Sequence, residues 1–119
     1  MLKPGHKGRL CGAAVLFGAL VAFSSAAGAQ AVDAEAAKAL VKDNECTKCH
    51  AVDKDKKGPS YKKIAAKHRG KPDGEEKAIK SMTTGPKVKL EDGTQEDHKI
   101  IDTKDAAAIR NVARWILSH

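Results

Sequence analysis

The sequence predicts an all-α domain of three to five helices behind a cleavable leader. Three observations lead there. Apolar residues recur at helical spacing, most clearly near the end of the chain, where Ile109, Val112, Ala113, Ile116 and Leu117 fall at i, i+3, i+4, i+7 and i+8. Capping residues and Gly or Pro stops bracket the helical stretches. Strand signals are absent.

Residues 1–29 have the layout of a secretory signal peptide. Lys3, Lys7 and Arg9 make a basic start, "LCGAAVLFGALVAF" from Leu10 to Phe23 is apolar, and "AGA" from Ala27 to Ala29 is a small-residue cleavage site. The apolar run is short against the roughly 20 residues that cross a bilayer. The expectation is cleavage after Ala29, no membrane span in what remains, and a single exported domain over residues 30–119. Cys11 lies within the leader and is given no role.

Asp33 can cap a helix over Ala34 to Glu45. "SYKKIAAKH", Ser60 to His68, reads as a second short helix, stopped by Gly70 and Pro72. "DGEEKAIKSM", Asp73 to Met82, reads as a third, ending near Gly85 and Pro86. A long polar loop follows from Thr83 to Ile101, and loops of that length in small domains are functional or disordered. Thr103 or Asp105 can cap the last helix. Trp115 sits near the edge of its apolar face and reads as a core anchor.

The chain carries a formal charge of +7. Three of its 22 Lys and Arg lie in the leader, so the remainder holds 19 basic against 15 acidic residues, or +4. That modest excess suits an acidic protein partner better than nucleic acid. Beyond the leader the only aromatics are Tyr61 and Trp115, without the aromatic–basic interleaving of single-strand binders. Apolar residues there are mostly Ala, Val, Ile and Leu, with no Phe. Such a core is marginal for a 90-residue domain, and a large planar cofactor would supply the missing apolar surface.

"CTKCH", Cys46 to His50, has three readings. A structural zinc site wants four tetrahedral ligands, and only one Cys pair exists, with His50 awkwardly adjacent to Cys49. A thioredoxin-like dithiol sits beside βαβ structure, which has no signal here. Covalent haem attachment needs two thiols a helical turn apart to reach two vinyl groups on one porphyrin edge. It also needs an imidazole directly after them to meet the iron. This third reading agrees with the leader and the helical pattern.

The residues after the leader resemble a small class I cytochrome c of the bacterial c551/c552 kind. The likeness rests on the helix before "CTKCH", on "GPSYKKIAAK" from Gly58 to Lys67 and on "ARWILS" from Ala113 to Ser118. It implies a cytochrome c fold wrapped around one covalent haem c, with thioethers at Cys46 and Cys49 and His50 as the proximal iron ligand. It also implies that Pro59 offers its carbonyl to the second nitrogen of His50, and that Trp115 lies near the porphyrin. The family's usual distal ligand is a methionine shortly before the last helix, and none stands there. Met82 lies some twenty residues ahead of the last helix, too early by that pattern. At the expected place is His98, which is read as the distal ligand, with Met82 or an open site as the rivals. His68 reads as a surface residue and His119 as a mobile one.

Lys42, Lys48, Lys54, Lys56, Lys57, Lys62 and Lys63 cluster in sequence around the attachment motif. They can form a solvated face or a docking surface that steers a redox partner with acidic groups. The reading is thus an exported, monomeric, monohaem electron carrier, not an enzyme. Its alternatives are a haem subunit or small-ligand binder with a displaceable distal site, and a zinc or dithiol module without haem.

Overall fold

The computed structural model describes residues 30–119, together with Gly5, so the expected leader lies outside the described residues. Four α-helices and one small hairpin are present among them: α1 Ala34–Asp43, α2 Tyr61–His68, α3 Gly74–Thr84, β1 Lys87–Lys89, β2 Gln95–Asp97 and α4 Ala106–Leu117. A 3-10 turn, Cys46–Lys48, follows α1.

Local chemistry sets the helix ends. Asp33 accepts from the Ala36 N–H at 3.0 Å and starts α1. Ser60 Oγ accepts from the Lys63 N–H at 3.2 Å and starts α2. Of the two candidate caps for α4, Asp105 takes the role, accepting from Ala107 and Ala108 at 3.0 and 3.1 Å. α1 stops two residues earlier than expected, because the Asn44 N–H and side chain both turn back to the Leu40 carbonyl. α3 runs two residues longer, to Thr84, and Gly85 ends it in the left-handed conformation at φ 57°.

The loop expected from Thr83 to Ile101 contains a two-stranded antiparallel hairpin, with Lys87 opposite Asp97 and Lys89 opposite Gln95. The expectation of no strands is therefore corrected. These strands are three residues each and almost wholly polar, so no periodicity announces them.

α4 packs against α1, α2 and α3. Its face of Ile109, Val112, Ala113 and Ile116 meets Ala37 and Val41 of α1, Tyr61 of α2 and Ala78 and Met82 of α3 in one cluster. Ala37 and Ala113 are wholly buried, and their small side chains let backbones come close. The helices leave a cavity of about 620 Å³ between themselves, the Cys46–Lys48 turn and the hairpin.

Candidate functional site

One wall of the cavity is the turn that holds Cys46, Cys49 and His50. Glu45 takes a left-handed backbone, φ 59° and ψ 16°, which reverses the chain after α1. The Cys49 and His50 N–H groups then both donate to the Cys46 carbonyl, at 3.1 and 3.0 Å. Cys46 and Cys49 are half-buried, form no disulfide and line the same cavity. Burial pushes the Cys46 thiol up, so it stays protonated.

His50 is held from behind. Its Nδ1 lies 2.6 Å from the Pro59 carbonyl. Nδ1–H donates there, which leaves Nε2 as the electron-pair donor. Burial lowers the pKa of His50, favouring the neutral imidazole that binds metals. The neighbouring glycine is a packing requirement: a Cβ on Gly58 would lie 2.7 Å from Cε1 of His50.

The opposite wall comes from the hairpin. His98 directly follows β2, and its N–H donates to the Pro86 carbonyl at 2.9 Å. The imidazoles of His98 and His50 have centroids 6.0 Å apart, with planes at 47°. Nδ1 of His98 is buried without a hydrogen-bond partner. One metal ion bonded at about 2 Å to a nitrogen of each ring holds two imidazole centroids about 6 Å apart. Val41, Ile64, Val88, Leu90 and Ile116 give the cavity an apolar lining, with charged side chains such as Glu45, Lys63 and Lys99 also on it. Two thiols on one edge, two opposed imidazoles and an apolar slot within the 300–1,000 Å³ range of cofactor pockets fit a haem.

The other candidates divide. Met82 is buried on the same cavity wall. Trp115 is not on that wall. It stands in the core edge-on to Tyr61 at 5.3 Å, and Ile116, one position on, faces the cavity instead. His119 is packed rather than loose, stacking on Tyr61 at 5.9 Å and meeting Trp115 edge-on at 4.9 Å. His68, expected at the surface, is half-buried and lines the cavity. Tyr61, Ile64 and His68 share one face of α2, a spacing the sequence already contained. Tyr61 stacks on His50 at 5.8 Å, and burial pushes its hydroxyl up to about 12. Among the lysines near the motif, Lys48 pairs with Glu45, Lys62 with Asp53 at 3.9 Å and Lys63 with Asp55, so part of the basic cluster is neutralised internally.

Comparisons with known proteins agree with this geometry. The family model described as Cytochrome c matches residues 34–119. Cytochrome c-551 of Pseudomonas aeruginosa is 29% identical over 90 residues, covering 76% of this chain and 83% of that protein. The crystal structure of the Class 1 cytochrome MtoD from Sideroxydans lithotrophicus ES-1 is similar at TM-score 0.71 and 55% identity, over 74% of this chain and 97% of that one. Wild-type cytochrome c552 of Nitrosomonas europaea is similar at TM-score 0.55 and 28% identity, over 68% of this chain and 96% of that one. The chain belongs to the cytochrome c family, as a small class I cytochrome of the electron-carrier type with one covalent haem c, and Cys46 and Cys49 fit the C-x-x-C-H attachment motif.

Proposed function

We propose that this chain is an exported carrier of single electrons whose haem iron is held between His50 and His98. The opposed imidazoles, 6.0 Å apart across the cavity, carry this reading. Within it His50 is the proximal ligand, oriented by the Pro59 carbonyl, and His98 is the distal one. The haem supplies one-electron chemistry, its iron alternating between ferrous and ferric states. The protein's part is to hold both ligands, exclude water with Val88, Leu90 and Ile116, and set the potential through ligand type and burial.

The finer reading takes residues 1–29 as a signal peptide and 30–119 as a periplasmic, monomeric carrier domain. The basic start, apolar run and "AGA" site support it. No helix among the described residues is long and apolar enough to cross a membrane. Redox partners with acidic surfaces suit the excess of lysine around the attachment motif.

Protein from a haem-maturing host tests both parts. Its intact mass should equal Gln30–His119 plus one haem, and retained leader residues would contradict cleavage. His98→Ala should give a high-spin ferric spectrum and bind carbon monoxide when reduced, while Met82→Ala should leave the spectrum unchanged. The reverse pattern would make Met82 the ligand and His98 a loop residue.

A further inference from the structure

Glu45 is the one non-glycine residue with positive φ among the described residues. Strained backbone of this kind persists where surrounding contacts enforce it, and it gathers at functional sites. Its carboxylate reaches two lysines: Lys48 in its own turn, and Lys99 at 2.7 Å across the cavity mouth. Lys99 directly follows His98. The preceding residue acts in parallel, because Asn44 Oδ1 accepts from the Asp102 N–H at 2.9 Å. Between these two ties, Ile101 is buried and its N–H donates to the Met82 carbonyl at 2.8 Å. The two residues ahead of Cys46 therefore grip the segment that carries His98.

We infer that Glu45 is a positioning residue for the distal ligand: through Lys99 it clasps the His98 segment to the attachment turn and slows release of His98 from the iron. The inference rests on His98 being that ligand. His98 leaves the iron when residues 98–102 swing outward, and that motion breaks the Glu45–Lys99 pair. An exposed ion pair adds little to global stability. It acts here on a local opening, which has its own free energy below that of global unfolding.

Carbon monoxide mixed with the reduced holoprotein reads this opening. At high gas concentration the binding rate levels off at the rate of His98 release. Glu45→Gly removes the carboxylate and relieves the backbone. It should raise the limiting rate about fivefold, the scale of an exposed ion pair, without lowering the thermal midpoint. Lys99→Met should give a similar rise, and Lys99→Arg should keep the wild-type rate. Amide hydrogen exchange at Ile101 and Asp102 should quicken in Glu45→Gly. Wild-type rates in both Glu45→Gly and Lys99→Met, with His98→Ala binding the gas without delay, would overturn the clasp alone. A His98→Ala protein that binds like wild type would overturn the ligand reading and the clasp with it.

Discussion

At the scale of single residues, the site depends on how closely backbone approaches the imidazole of His50. Gly58 lies against the ring of His50 and Pro59 takes its N–H, so the pair seats the imidazole and is not only a turn. Gly58→Ala should push the ring aside. The holoprotein is expected to lose roughly 1–3 kcal/mol in denaturant unfolding, as overpacked sites do, and to show a shifted reduction potential. Cys46, Cys49, His50 and Pro59 were legible in the sequence because their relations are local, within fourteen positions of one another. His98 drew attention in the sequence only by its place shortly before the last helix, and the fold brings its ring within 6.0 Å of that of His50. Trp115 is the core anchor expected of it, while His68 was misread because periodicity shows which stripe of a helix is buried, not what the stripe faces. Trp115 and Ile116 are neighbours on α4, yet one turns to Tyr61 and the other to the cavity.

At the scale of elements, the hairpin matters most and was hidden. β1 and β2 hold one apolar residue, Val88, in six, and their pairing is imposed from outside the strands. Gly93 at φ 85° makes the turn, with Asp92 Oδ1 accepting from the Thr94 N–H at 2.9 Å. Gly85 at φ 57° ends α3 so that the chain can meet His98 again at Pro86. A Cβ on Gly85 would lie 3.0 Å from the His98 carbonyl oxygen, whereas one on Gly70, also at positive φ, would meet nothing within 4 Å. Both alanine variants should lose about 1 kcal/mol from the left-handed backbone. Only Gly85→Ala should also raise carbon monoxide binding by the reduced protein. Equal gas binding by the two variants would show that the hairpin does not position His98. The helices, by contrast, were read nearly to their ends, because Asp33, Ser60 and Asp105 cap them locally.

At the scale of the whole molecule, the core is small and its centre is shaped for a cofactor. Val112 is the only large side chain buried completely among the described residues, and the cavity takes about 620 Å³ between the helices. Protein carrying both Cys46→Ser and Cys49→Ser, freed of haem, should lose helicity by far-ultraviolet circular dichroism and unfold without a sharp transition, since binding and folding are coupled in such domains. Electron transfer to an acidic partner should slow as salt rises, with screening acting over about 8 Å at physiological strength. The slope should be modest, because Lys48, Lys62 and Lys63 are already paired within the chain. A rate independent of salt would make the lysine cluster a solvated face only. The central claim, two imidazoles on one iron, is tested most directly by the reduction potentials of the wild-type and His98→Met holoproteins. A thioether favours ferrous iron more than an imidazole does, so the substitution should raise the potential. An unchanged potential and spectrum in His98→Met would contradict the account.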